Sequence, residues 1–295
     1  MRKDRLDGVG VAMLLGVAAL LAVNQIVIKI VDQGLQPVFF AGARSALAIM
    51  FVGGWLWYRG LLGRVRRADL WPGLLIGTVF AIEFIGLFTA LDLTTVGHSA
   101  LIMYSMPVWM GIAAHFFLPG ERATPIKALG LVLAFAGTAW AISSRGGAQA
   151  GQVSWLGDLC ALIGAWGWAG TAFIARASRL RDAGPEAQLF WMVLVSAPIL
   201  LAVSPLFGPL IREVTPMHWV WLVLQASVVV AGGFISWLWL LSVYPASTVA
   251  SFSFLTPILA ILLGHLVFGE SLSVTLLGAA ALVSLGIVLI NRKAS

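Results

Sequence analysis

The sequence predicts an all-α membrane protein in which ten transmembrane helices form two inverted five-helix repeats. Three observations predict it. Ten apolar runs, each about long enough to cross a bilayer, take up most of the 295 residues. Charged residues make up 10% of the chain and hydrophobic ones 60%, whereas soluble proteins carry about 25% charged residues. The fourth and ninth runs share a residue pattern at matching places in the two halves.

The runs cover residues 9–31, 38–58, 70–91, 97–118, 125–143, 156–177, 189–207, 219–243, 246–268 and 274–291. A spanning helix needs about 20 mainly apolar residues at about 1.5 Å rise each. In hydrocarbon the backbone must satisfy its own N–H and C=O groups, and these runs are too long and too uniformly apolar for barrel strands. No soluble domain is left over. The first run follows MRKDRLDGVG, which looks like the start of a signal peptide. Its apolar stretch is longer than an h-region and no small-x-small site follows, so it is expected to remain as the first span. Cys160, the only cysteine, falls in the sixth run, where it reads as a packing residue that can form no internal disulfide.

Basic residues orient the chain. With a cytoplasmic N-terminus, fourteen lie inside: Arg2, Lys3, Arg5, Arg59, Arg64, Arg66, Arg67, Arg122, Lys127, Arg176, Arg179, Arg181, Arg292 and Lys293. Two, Arg145 and Arg212, lie outside, and the opposite orientation reverses that ratio. This is the positive-inside pattern of a multi-pass protein of the cell inner (plasma) membrane with both termini cytoplasmic. The net charge of +6 therefore speaks of orientation in the lipid bilayer, and no nucleic-acid partner is expected.

The linker-like stretch SSRGGAQAGQ (143–152) divides the chain into repeats 1–147 and 148–295 of one integral membrane domain. At an offset of 150, Ala100 matches Ala250, Pro107 matches Pro257 and His115 matches His265; Glu121 matches Glu270 after a one-residue slip. Five spans per half invert the second copy. Inverted repeats with interrupted helices at corresponding places are a recurring construction of secondary transporters, whose substrate site lies near the midplane between the halves. Pro107 and Pro257 are the expected hinges; a shared packing kink is the plainer account of the pair.

Polar residues within spans are the candidate site. Glu83 is the only carboxylate near the middle of a span, where an ionised group costs roughly 3 kcal/mol or more unless it meets water or a partner. It reads as a proton-titrated group or an anchor for a substrate ammonium, or else as a structural carboxylate paired with Arg44 or bonded to Asn24. Arg44 can meet a substrate carboxylate or pair structurally. Lys29, near a span end, is expected to snorkel. Asn24 and Gln25 either bond across helices or line a polar cavity. His98, Ser99, Tyr104 and Ser105 surround Pro107, and Ser247, Thr248, Ser251, Ser253 and Thr256 precede Pro257. Hydroxyls there repair freed carbonyls or grip a substrate. His115 and His265 read as end-of-helix hydrogen bonders.

Eight of the thirteen tryptophans (Trp55, Trp57, Trp71, Trp140, Trp155, Trp191, Trp219 and Trp221) lie near span ends and form an interfacial belt. Trp109, Trp166, Trp168, Trp237 and Trp239 lie deeper. Of the pairs 166/168 and 237/239, Trp166 and Trp237 are preferred as cavity walls for an apolar or aromatic substrate or its ammonium. Gly73 with Gly77, and the ladder Gly164, Gly167 and Gly170, allow close helix contact. No GxxxxGK[ST] motif points to ATP, no HExxH appears, and one cysteine makes no thiolate cluster. No catalytic residue, metal or cofactor is expected.

In these features the chain resembles the drug/metabolite transporter superfamily, and within it the EamA-type exporters. The likeness rests on the five-plus-five spans, Pro107 and Pro257, the Gly-Glu of LPGE and VFGE, and the glycine-spaced closing helices ALGLVLAFAGTAWAI (128–142) and LLGAAALVSLGIVLI (276–290). The chain is most similar to the YddG-type exporters of aromatic and other neutral amino acids. That resemblance implies a ten-helix basket around a central cavity, lined here by Asn24, Glu83, Tyr104, Trp166, Trp237 and Ser251. It implies a small-molecule amino-acid substrate, outward transport by alternating access, and protons as a candidate coupling ion. Export of other small metabolites or cationic drugs, an intramembrane lipid-modifying enzyme and a passive channel are the rival readings.

Overall fold

Residues 7–117, 124–143, 154–244, 252 and 255–291 are described by the computed structural model. Among them the chain is helical, with no strand and one isolated bridge between Leu35 and Ile211. Helix α1 (Gly8–Val31) starts where the Asp7 carboxylate accepts from the Gly10 N–H. Gln36 starts α2 (Pro37–Tyr58) in the same way, accepting from Phe39 N–H. These side chains satisfy donors that a helix start leaves free. There follow α3 (Leu70–Leu93), α4 (Val96–Met103), α5 (Met106–Phe117), α6 (Pro125–Ser143), α7 (Trp155–Ala177), the short α8 (Leu180–Ala183) and α9 (Pro185–Val203). Helix α10 (Pro216–Leu224) continues through a π-helical stretch, Gln225–Gly233, into α11 (Phe234–Val243). Helices α12 (Leu255–Phe268) and α13 (Val274–Asn291) close the described chain.

Eight helices among the described residues are long and apolar enough to cross a membrane. Helices α12 and α13 are apolar but shorter. The ten predicted runs thus become eight full-length candidates and two shorter ones. Residues 246–251, 253 and 254 of the predicted ninth run lie outside the described residues, and with them Ser251 and Ser253 of the expected site.

The fourth run is not one bent helix. It breaks at Tyr104–Ser105 into α4 and α5, and Pro107 sits in the first turn of α5. Proline has no N–H to offer the preceding turn, and it disfavours helical geometry in the residue before it. The break is repaired locally: the Ser105 hydroxyl donates to Ile102 O at 2.6 Å and accepts from the Trp109 indole at 3.0 Å. Pro257 likewise falls in the first turn of α12.

Missing side chains set the tightest packing. A Cβ on Gly86 of α3 would lie 2.5 Å from the backbone of Gly164 on α7, and one on Gly167 would lie 2.7 Å from Glu83 Cα. The two backbones therefore touch beside the candidate carboxylate. Gly73 and Gly77 make the matching notch for Trp191 and Val195 of α9. This corrects one expectation: Trp191 is buried in that notch instead of standing in the interfacial belt. Trp57, Trp71 and Trp155 are well exposed, as belt residues are.

Candidate functional site

Four elements bring polar side chains to one level of the bundle. Asn24 and Gln25 come from α1, Arg44 from α2, Glu83 from α3, and Gln225 from the junction of α10 with the π-helical stretch. All are buried. Each lies roughly 10–15 Å along its helix from the end of the bundle that carries Lys29, at about 1.5 Å per residue. The π-helix is rare and recurs at functional sites because its wide turn frees backbone and redirects side chains.

Arg44 Nη1 donates to Gln225 Oε1 at 3.1 Å, and the Gln225 amide donates to the Asn24 carbonyl at 3.3 Å. The guanidinium lies over the rings of Phe84 and Phe88, 4.3 and 4.7 Å from their centres. Its Nε has no hydrogen-bond partner among the described residues, and the same holds for Asn24 Oδ1 and Gln25 Oε1. Arg44 forms no ion pair among the described residues, so the expected structural pairing with Glu83 is not made. Asn24 does not bond to Glu83 either.

Glu83 meets instead the Thr171 hydroxyl of α7 at 3.4 Å. That hydroxyl also donates to the Trp168 carbonyl at 2.8 Å. A hydroxyl has one proton, and the nearer carbonyl takes it. Glu83 is thereby left weakly held on a glycine notch. Tyr104 packs edge-on against Trp168, the residue whose carbonyl takes that proton, with ring centres 5.4 Å apart, and Thr256 of α12 stands next to the phenol. Ser99 is fully buried with its hydroxyl unpartnered among the described residues.

The two tryptophans of α7 divide the other way from the preference for Trp166. Trp166 is 46% exposed and stacks edge-on against Trp109 of α5. Trp168 is the one that turns towards Tyr104. Which side of α7 faces α3 depends on the glycine ladder, and the ladder places Trp166 outward. Trp237 packs against Leu14 and Val17 of α1, with Leu240 and Tyr244, towards the bundle end that carries Arg67.

A second polar layer closes the Lys29 end. The Glu270 carboxylate, after α12, accepts from Val96 N–H at 2.7 Å and Gly97 N–H at 3.1 Å. It thus caps α4 from the other half of the chain. Lys29 does not snorkel to solvent. Its ammonium donates to Leu91 O and Thr94 O and stands 3.9 Å from Glu270 Oε1. The carbonyls at a helix C-terminus lack partners and attract cations, which explains the placement. His265 Nδ1 lies 2.7 Å from Glu270 O, the helix-end role expected of it. Arg212 grips both oxygens of Asp92 at 2.7 and 2.9 Å. His98 belongs to this layer and not to the Glu83 layer: its Nδ1 lies 3.6 Å from Asp158.

Gln225, Thr171, Phe84 and Phe88 escaped sequence reasoning, and Trp168 was weighed but passed over for Trp166. A lone amide inside WLVLQASVVV was the available signal for Gln225; nothing in sequence singled out Thr171.

Comparison with known proteins adds four findings. The model of the EamA-like transporter family matches the chain twice, over residues 8–143 and 155–292. The uncharacterized transporter YvbV of Bacillus subtilis (strain 168) is 31% identical over 268 residues, covering 87% of this chain and 83% of its own. Its counterpart YoaV is 22% identical over 264 residues, with 89% of each chain covered. A crystal structure with 20% identity superposes with a TM-score of 0.66, covering 96% of both chains; it supports the fold alone.

Proposed function

This chain belongs to the EamA-like transporter family, and we propose that it is a secondary transporter exporting neutral or aromatic amino acids across the inner membrane by alternating access. It is a multi-pass membrane transporter of the drug/metabolite superfamily. The finer reading rests above all on Glu83. A carboxylate is kept near the middle of a span, and its one hydrogen bond among the described residues is a 3.4 Å approach to a hydroxyl already committed elsewhere. Structural carboxylates at that depth are held by strong partners. A weakly held one suits a substrate ammonium or a proton.

Tyr104 and Trp168, whose backbone is tied to the Glu83 partner Thr171, form an aromatic pair that suits an apolar or aromatic side chain. The double family match supports two repeats, and the paired first-turn prolines support corresponding breaks in the two halves. In this reading the Lys29 end faces outward. Its polar layer closes the outside while the Glu83 layer holds the substrate, and breakage at Tyr104–Ser105 and before Pro257 lets each face open.

Efflux from proteoliposomes loaded with labelled amino acids tests this. Saturable, stereoselective efflux is expected. The Glu83→Gln variant is expected to lose the pH dependence of net flux if protons are coupled, and to weaken amine-bearing substrates in either case. Non-saturating conductance would show a channel instead. Unchanged flux and pH profile in the variant would remove Glu83 from the mechanism.

A further inference from the structure

Arg44 is a buried charge that the Glu83 reading leaves unused. A guanidinium taken out of water without a counter-ion is expensive, and proteins normally bury such groups with a carboxylate. Among the described residues its direct contacts are a neutral amide and two phenyl faces, and Glu83 acts on it only from beyond ion-pair distance. Aromatic faces stabilise a cation, yet they accept none of its in-plane N–H groups. The fork has five N–H donors, and its Nε has no acceptor among the described residues. Two further buried polar atoms on the facing helix, Asn24 Oδ1 and Gln25 Oε1, are also unpartnered there.

We infer that Arg44, steadied by Gln225, is the carboxylate-binding subsite of the transport site, so that the cargo carries an anionic group opposite its ammonium. The inference rests on the amino-acid reading above and deepens it. Arg44 lies on the face of Phe84, and Glu83 is the residue just before Phe84 on α3. The two opposite charges thus share one layer and feel each other electrostatically without forming an ion pair among the described residues. A zwitterion bridges such a gap: its carboxylate takes the planar fork, its ammonium meets Glu83, and Asn24 Oδ1 accepts a remaining N–H. Gln225 fixes the guanidinium through Nη1 while its own amide is anchored on the Asn24 carbonyl. It therefore positions Arg44 without neutralising it.

Three probes on the purified full chain in nanodiscs separate the charges: phenylpropionate carries the carboxylate alone, phenethylamine the ammonium alone, and L-phenylalanine both. Arg44→Gln is expected to weaken phenylpropionate and L-phenylalanine by about tenfold or more, and to leave phenethylamine within about twofold. Glu83→Gln is expected to do the reverse for the two single-charge probes. Arg44→Gln risks misfolding, so Gln225→Glu serves as the second variant. It retains Arg44 but gives it an internal carboxylate, and phenylpropionate binding should be lost while phenethylamine binding persists.

Equal weakening of both single-charge probes in the variants, or none, overturns the subsite. So does a wild-type chain that does not bind phenylpropionate. The two readings fail separately. Wild-type binding of phenylpropionate through Arg44 without any amino-acid efflux sinks the export reading alone. Amino-acid efflux with Arg44-independent binding sinks the subsite alone.

Discussion

Asp32 follows the last turn of α1 and is buried, with both carboxylate oxygens unpartnered among the described residues. Burial pushes its carboxyl well above the usual carboxylate range; the nearby Asp92 pushes the same way, and Arg212 and Lys29 oppose. The folded value is raised, so the native state holds a proton that the unfolded chain releases. Stability therefore falls as pH rises from the unfolded value, about 3.9, through the folded one, and the full cost is present above it. Asp32→Asn removes the titration. Its melting temperature is expected to exceed the wild type's at pH 8, by about 2–4 °C per kcal/mol relieved, and the gap should close towards pH 4. Melting curves of constant separation across that range would mean that Asp32 is not the titrating group. Asp32 gave no warning in sequence, because a residue at a span end is solvated by default. Glu83 stood out in sequence for the opposite reason, being alone in an apolar run. The sequence favoured Trp166 over Trp168, and the facing side of α7, which no local pattern encodes, reverses that order.

Helix α4 shows what one long-range contact does for an element. It is eight residues long, too short to be stable by itself. Thr95 caps the His98 N–H, and Glu270 takes the Val96 and Gly97 N–H groups. Both are donors that a helix start leaves free, and a carboxylate there also suits the helix dipole. The Gly-Glu of VFGE was legible as a repeat mark; its partner, 174 residues away from it at Val96, was not, since nothing local encodes that distance. Gly264 makes the contact feasible, because a Cβ there would meet Glu270 Oε2 at 2.6 Å. Glu270→Gln keeps the shape but replaces one acceptor by an NH2 facing an N–H. A cost of about 1–3 kcal/mol is expected. Amide hydrogen exchange at Val96 and Gly97 should speed up, with lesser change at the Arg67 end of the bundle. Protection of those two amides equal to wild type would show that the carboxylate does not hold the helix start.

At the scale of the whole molecule, the helix partners follow an exchange rule. Counting runs within each half, the second pairs with the second (α2 with α9) and the fifth with the fifth (α6 with α13). The first of one half meets the fourth of the other: α1 packs on α12, and α7 packs on α4 and α5. The third and the first complete the pattern unequally. Helix α3 packs closely on α7, from Thr94 against Gly157 to Val79 against Gly170, while α1 touches α10, the π-helical stretch and α11 far more loosely. A two-fold relation between the halves would produce these exchanges, and under the alternating access proposed above a single state would show such an inequality. The sequence made the two halves legible through prolines and the Gly-Glu marks, but not this inequality, which depends on how closely helices approach. Inversion has a direct test. The loop after the second run is 59–69 in the first half and 204–215 in the second. In a Cys160→Ser background, Arg67→Cys should react with a membrane-impermeant maleimide only from the cytoplasm, and Glu213→Cys, exposed at the far end, only from outside. Five spans per half demand opposite faces. Reaction of both from one face would require an even count, and the two halves would then be parallel copies with no gates related by a two-fold axis in the membrane plane.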